Sequence, residues 1–277
     1  MSWFERLFSG PSDPELDAEE EADIEALMSS AYDAAAAGDY DTAVAMWRPL
    51  AEAGVARAQS NLGACYAEGL GLPRDLGAAF QWFAQAAEAG DAVGQRNLAA
   101  LYFKGEGGVE QDDAIAAEYY RIAAEQGDAA AQDMLSWMLL EGQGVETDAV
   151  ESRRWALAAA EQQIATSMTR LGLIAHNALG MERDPEEAAR WWFEAARRGE
   201  PDGQAMLGAA LHLGQGVKQD DRAALVWLLR ADKGGSSLAA PFVGVVRNRL
   251  PDEDVRLAQQ AAAVPIAEPP SDDEGPS

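Results

Sequence analysis

The sequence is poor in cysteine, in basic residues and in long apolar runs, and each shortage excludes a class of protein. Its single cysteine, Cys65, allows neither an intrachain disulfide nor a cysteine-based metal cluster. No apolar run approaches the about 18 residues that a membrane-spanning helix needs. Residues 1–10 lack the apolar stretch and the cleavage site of a secretory signal peptide. We therefore predict a protein without membrane spans that resides in the cytoplasm.

Basic residues are outnumbered, with 21 Lys and Arg against 47 Asp and Glu, and the formal net charge is −26. Residues 1–22 and 252–277 each carry a net charge of −6, which leaves −14 for the residues between them. Such a chain repels phosphate backbones and anionic lipid headgroups, so a nucleic-acid-binding protein is not expected. Arg outnumbers Lys 18 to 3, a ratio that suggests the coding bias of a GC-rich bacterial genome.

Several columns of residues recur about every 36 positions and stay in phase, which is the mark of a repeat protein. They comprise a leucine-type column, each member followed by a small residue such as Gly63 or Ser136, then an acidic, an aromatic and a mainly glycine column. In that order the columns are Leu62, Leu98, Leu135, Leu171, Leu207 and Val243; Asp75, Asp112, Asp148, Asp184 and Asp220; Trp82, Tyr119, Trp155, Trp191 and Trp227; and Gly54, Gly90, Gly127, Gln163, Gly199 and Gly235.

Each repeat has the apolar spacing of two amphipathic helices, which we term A and B, and alanine, the best helix former, dominates the apolar residues. Glycine-rich turns such as Glu68-Gly69-Leu70-Gly71-Leu72 separate helix A from helix B. The prediction is an all-α, right-handed α/α superhelical solenoid over residues 23–263. Its repeats are 23–54, 55–90, 91–127, 128–163, 164–199 and 200–235, followed by a cap at 236–263. Residues 1–22 and 264–277 are predicted to be disordered acidic tails.

The repeat pattern resembles the Sel-one-like repeat, a relative of the tetratricopeptide repeat. The shared motif reads A-x-x-x-L-G-x-x-Y-x-x-G-x-G-V-x-x-D-x-x-x-A-x-x-W-x-x-x-A-A-x-x-G and covers roughly residues 23–263. The fifth repeat departs from it, with Ala178 in place of the first loop glycine, so we expect that loop to bend differently. The resemblance implies an adaptor that binds other proteins. The sequence has no glycine-rich phosphate loop after a strand pattern, no G-x-S-x-G motif and no Ser/His/Asp or Cys/His set, so we expect neither enzymatic activity nor a cofactor. The cysteine pairs of relatives linked to penicillin recognition are missing here.

Three sets of residues invite a chemical interpretation, and a structural one is favoured for each. The acidic column precedes helix B, where Asp is a favoured N-cap, so we predict capping and not metal binding or catalysis. The aromatic column recurs once per repeat at helical spacing, which favours a core position over a stacking site. His176 and His212 are 36 residues apart, but neighbouring helices lie about 8–10 Å apart and no third ligand is obvious beyond Glu141 or Asn177, so a zinc site is disfavoured.

Two functions remain after these exclusions. The first is a scaffold that binds a segment of another protein, because stacked helix pairs offer a long concave surface. The second is a peripheral membrane-associated regulator, since residues 3–8 read Trp-Phe-Glu-Arg-Leu-Phe and have the composition of a short apolar anchor. The competing interpretation is a frayed terminus or a segment that docks on the solenoid of its own chain, since the segment has one Arg and an acidic run follows it.

The predicted binding surface consists of helix A positions that point away from the leucine and tyrosine packing face. In the tetratricopeptide relatives these positions line a groove, and here they include Ala64, Ala67, Glu68 and Ala100. Large apolar residues gather in the middle repeats with basic residues near them, the pattern of a binding hot spot with a charged rim. The apolar residues are Phe103, Trp137, Leu140 and Leu173, and the rim residues are Arg96, Lys104, His176 and His212. The alternative is that these side chains are buried.

Overall fold

The structure, a computed structural model, describes residues 18–266, and their regular secondary structure is entirely α-helical. The helices are α1 (Ala18–Ala36), α2 (Tyr40–Glu52), α3 (Ala56–Glu68), α4 (Leu76–Glu88), α5 (Ala92–Lys104), α6 (Asp113–Glu125), α7 (Ala129–Glu141), α8 (Ala149–Glu161), α9 (Ala165–Asn177), α10 (Pro185–Arg197), α11 (Pro201–Leu213), α12 (Asp221–Lys233), α13 (Ala240–Arg247) and α14 (Asp252–Ala263). Odd-numbered helices from α1 to α11 are the predicted A helices and even-numbered ones from α2 to α12 the B helices. The all-helical repeat fold predicted from the sequence is confirmed.

The ends of the repeat region differ slightly from the prediction. Helix α1 begins at Ala18, so residues 18–22 are helical although we assigned them to a disordered tail. Residues 264–266 follow α14 without regular structure, and the rest of both predicted tails lies outside the described residues.

The chain divides into two compact units. Among the described residues, the first unit contains 18–131 with 143–145, and the second contains 132–142 with 146–266. In the first unit, helix pairs stack around a core that includes Trp47, Leu50 and Leu62. In the second unit, the sixth repeat packs against α13 and α14 through Leu225, Leu228 and other buried side chains.

The acidic column caps the B helices, as predicted. Asp75, Asp112, Asp148, Asp184 and Asp220 each stand immediately before helix B and accept a hydrogen bond from a backbone N–H of its first turn. In the fifth repeat, the N–H of Glu187 lies 2.8 Å from the Asp184 Oδ1. Because the first N–H groups of a helix have no partner within the helix, each cap satisfies a group that would otherwise be exposed.

The aromatic column is less buried than predicted. Trp155 is buried, but Trp82 and Trp191 are only partly buried. In those two helices the aromatic residue that follows, Phe83 or Trp192, is buried instead. The reason is that one large side chain fills each core position. Where the following residue is the small Ala156, the tryptophan itself occupies the core; where a large residue follows, the tryptophan lies at its edge.

The small residue after each leucine lets helix B approach helix A. A Cβ atom added to Gly63 would lie 2.7 Å from the ring of Phe83, and one added to Gly208 would lie 2.7 Å from the Cγ of Leu228. Real Cβ atoms essentially never come that close, so any larger residue would push the two helices of the repeat apart.

The loop after α9 does not bend differently, contrary to our expectation. Ala178 ends the helix with a φ of 58°, in the same left-handed region as Gly69 at 72° and Gly214 at 67°. Packing of the flanking helices therefore imposes the shared turn even on a residue with a Cβ, for which this conformation is unfavourable.

Candidate protein-binding surfaces

In the first unit, predicted helix A residues line one cleft. Its volume is about 240 Å³, and α3 and α5 contribute facing walls. Ala64, Ala67 and Ala100 leave space between these helices because their side chains are small, and Glu68 and Lys104 carry charge at the cleft. The structure thus brings together five predicted groove positions, which we call the α3–α5 groove. Its chemistry suits an extended segment with both polar and apolar side chains.

The other two predicted residues of α5 contribute less than expected. The Arg96 Nη1 lies 3.0 Å from the Asp128 Oδ2, so the charge of this guanidinium is already compensated. Phe103 is half-buried, whereas Lys104 is exposed. Lys104 is therefore the more available cation of the predicted rim in this unit.

In the second unit, Trp137, Leu140 and Leu173 are half-buried on their A helices. Leu173 packs against the core that contains Trp192. None of the three is as exposed as a free apolar patch would require, and none is fully buried, so part of each side chain stays accessible. Their role in binding therefore stays a prediction.

His176 is not a cationic rim residue. Its ring lies 5.4 Å from the ring of Trp192, measured between centroids, and its buried Nδ1 atom has no hydrogen-bond partner in the described part of the chain. Desolvation by burial, with a smaller repulsion from Arg183, lowers the pKa of His176 below its ordinary value. The imidazole is consequently neutral near pH 7.

His212 was predicted to lie exposed on the same rim, and this prediction is wrong. Its relative exposure is 5%, and its Nδ1 lies 2.6 Å from the Asp221 Oδ1, while the other carboxylate oxygen lies 3.1 Å from the Arg249 Nε. The ring of Phe242 packs against His212 edge-on at 6.4 Å. The Asp221 carboxylate of α12 and the Phe242 ring of α13 therefore surround this imidazole.

A second cleft in the second unit was missed by the sequence analysis. It holds about 390 Å³ between α10, α11 and α12, and Phe193, Leu207, Leu211, Val217 and Trp227 give it a mainly apolar lining. Phe193 is 43% exposed although it is a large apolar residue. The signal was the run Trp191-Trp192-Phe193, whose third member has no place in the recurring columns. We call this the Phe193 cleft.

Neither a metal site nor a membrane span emerges from the described residues. No group of three His, Cys, Asp or Glu side chains within residues 18–266 is arranged to hold a metal ion. Likewise, no helix in this range combines the length and the apolar character needed to cross a bilayer. The segment of the membrane hypothesis, residues 3–8, lies outside the described residues, and no observation supports that hypothesis.

Comparison with known proteins shows which family the repeat matches. The sequence model of the Sel1 repeat matches residues 56–91, 92–128, 129–163, 165–200 and 201–235. These matches begin at the second predicted repeat and end with the sixth. No curated protein matches the chain.

Two solved structures show the same fold over most of the chain. A Sel1 repeat protein from Oxalobacter formigenes is 27% identical with a TM-score of 0.75, and the alignment covers 88% of this chain and 99% of that one. A protective antigen of uropathogenic Escherichia coli strains with an SLR fold is 29% identical with a TM-score of 0.73, over 93% of this chain and 55% of that one.

Proposed function

Because the chain belongs to the Sel1 repeat family, we propose that it is a non-catalytic scaffold that binds a segment of another protein along its helix A positions. Sel1 repeat proteins are generally scaffolds for protein–protein interactions, and they are typically not enzymes. The observation that carries the proposal is the α3–α5 groove, an accessible cleft formed by adjacent A helices. A cytoplasmic location stays a prediction from the sequence.

The chemistry of the groove indicates the kind of segment it suits. Its alanine walls accept a chain without large rearrangement, and its charged residues include Glu68, Arg74, Lys104 and Glu106. Charges at the edge of an interface mainly set orientation and association rate, whereas a buried apolar side chain supplies most of the affinity. We therefore expect a segment with at least one apolar side chain beside a polar or acidic one.

The test is reconstituted binding. The full-length protein is used to isolate partners, and each partner is then purified and titrated against wild-type protein and Ala100→Arg, which fills the groove with a large side chain. We expect the affinity to fall at least about tenfold with Ala100→Arg, whereas Val150→Arg on the exposed face of α8 leaves it unchanged. Unchanged affinity in the groove variant, with helical content intact, contradicts the proposal.

A further inference from the structure

The last described residues of the chain line a third cleft, which lies within the second unit. The cleft holds about 420 Å³, and residues at the end of α12, near the start of α11 and after α14 surround it. Val264, Pro265 and Ile266 form part of its lining. The chain beyond Ile266 therefore begins at this site, which we call the Arg230 cleft.

The direction in which the chain leaves α14 follows from local chemistry. Pro265 disfavours helical backbone at the residue before it, and Val264 is extended, with φ −76° and ψ 132°. The Arg230 Nη2 donates hydrogen bonds to the backbone oxygens of Ala261 and Val264, at 3.0 and 2.9 Å. These bonds satisfy carbonyls that the end of a helix leaves without an intrahelical partner. Arg230 of α12 thus holds the end of α14 and the residue that leaves it.

The charged side chains that line the Arg230 cleft are Arg230 and Lys233, both in the last turn of α12. Within residues 18–266, neither forms an ion pair, and the buried Nε of Arg230 has no hydrogen-bond partner. Arg249 of the same unit, by contrast, lies 3.1 Å from a carboxylate oxygen of Asp221. Two cations without a carboxylate partner in the described part of the chain are unusual in a protein of net charge −26.

The segment that continues from this cleft carries the complementary charge. Residues 267–277 include Glu268, Asp272, Asp273 and Glu274 and contain no Lys or Arg. Glu268 is two residues beyond Ile266, so their Cα atoms are at most about 7 Å apart. A short tether of this kind gives the acidic residues a high effective concentration at the two cations, so that even weak charge contacts suffice to occupy the cleft.

We propose that residues 268–274 dock in the Arg230 cleft of their own chain, with Glu268 opposite Lys233. The chain's own segment is specified because it starts in the cleft, so any other acidic occupant would have to displace it. The docked segment neutralises the cations at the end of α12 and ties the end of α14 to the sixth repeat. The contact lies wholly within the second unit and does not depend on the proposed scaffold function.

A photo-crosslinking side chain in place of Ser271 tests where the segment docks and leaves all four of its acidic residues intact. An equal mixture of ¹⁵N-labelled and unlabelled full-length chains is irradiated, and the cross-linked peptides are identified by mass spectrometry. We expect peptides containing residues 199–204 or 230–234 joined to the segment of the same copy. Cross-links mainly between differently labelled copies, cross-links to other regions, or none at all overturn the proposal.

Charge variants of this cross-linkable protein separate docking from the mere proximity of a tethered segment. Lys233→Glu, at an exposed position, is expected to lower the cross-link yield about threefold, and adding Glu268→Lys is expected to restore it. Lys218→Glu is the matched control, because this exposed lysine precedes α12 and lies outside the cleft. In about 1 M sodium chloride the wild-type yield is expected to fall towards that of Lys233→Glu.

Circular dichroism checks that each variant keeps its helical content. The proposal is overturned if Lys218→Glu lowers the cross-link yield as much as Lys233→Glu does. It is likewise overturned if the double variant shows no restoration, or if the wild-type yield does not change with salt.

Discussion

The fifth and sixth repeats have the same fold, but the side chains at equivalent positions have different surroundings. Both have 13-residue A and B helices and an Asp N-cap before helix B. The histidine of the fifth repeat, His176, is half-buried with an unpartnered Nδ1, whereas that of the sixth, His212, is buried and bonded to Asp221. The repeat therefore determines where a side chain lies along the helix, and the neighbouring element determines what surrounds it.

The largest expected difference between the two repeats is the response to losing the histidine. His212→Ala removes a buried hydrogen bond to a carboxylate and its packing against Phe242, so we expect a loss of about 2–3 kcal/mol in the free energy of unfolding. His176→Ala removes a partly exposed ring with no hydrogen bond at Nδ1, and we expect about 1 kcal/mol or less. Urea denaturation measures both. Equal losses would contradict the difference in surroundings.

The turn after helix A gives the next largest effect, with opposite signs in the two repeats. Ala178→Gly is expected to stabilise the protein by about 0.5–1 kcal/mol, because the residue is already held at positive φ. The reverse change in the sixth repeat, Gly214→Ala, is expected to destabilise it by about 1–2 kcal/mol. Its added Cβ would meet only ordinary contacts with Gln219, so the effect isolates backbone conformation. Thermal unfolding of both variants checks the signs, and destabilisation by Ala178→Gly would show that the alanine is not strained.

The N-caps are a further test of the comparison, because their loss is expected to have the same effect on stability in both repeats. Asp184 and Asp220 make the same hydrogen bond to the backbone of the following helix, at 2.8 and 2.9 Å. Replacing either with alanine is expected to lower stability by about 1 kcal/mol and to leave partner binding unchanged. Calorimetry and a binding titration test this. If either variant lost binding at unchanged stability, the acidic column would have to contact the ligand.

The smallest expected effect is a pH dependence particular to the fifth repeat. Because the pKa of His176 is lowered in the folded state, the unfolded chain binds the proton more readily, and stability falls as the pH drops below the ordinary value of 6.5. The His176→Gln variant lacks that contribution. Its free energy of unfolding relative to wild type is therefore expected to rise as the pH is lowered from 7.5 to 5.5. Urea titrations of both proteins at the two pH values test this prediction. A difference in stability that is the same at both pH values would contradict the desolvated environment of His176.

Much of the fold could be predicted because it follows from local patterns. The recurring Asp column located the start of every B helix from Asp75 onward, since N-capping depends only on the adjacent turn. The environment of a side chain depends on distant parts of the chain and could not be predicted in the same way. Phe242 and Asp221 contact His212, and Phe83 displaces Trp82 from the core, although both positions recur in register.

The candidate surfaces likewise divide into one that could be predicted from the repeat pattern and one that could not. The small residues of the α3–α5 groove were predicted from register, because each repeat places them on the same face of helix A. The Phe193 cleft was missed because Phe193 belongs to none of the recurring columns. In a repeat protein, individual departures from the consensus are therefore the positions to inspect for binding.

The proposed use of the helix A positions is tested most directly by the affinity of a purified partner for the Trp137→Ala variant of the full-length protein. Trp137 is the largest side chain among the predicted helix A positions, and Trp191→Ala, on helix B of the same unit, is the matched control. We expect Trp137→Ala to weaken binding by about 2 kcal/mol or more, roughly 30-fold, and Trp191→Ala to have little effect, with circular dichroism unchanged. Equal affinity of wild type and Trp137→Ala would contradict the account.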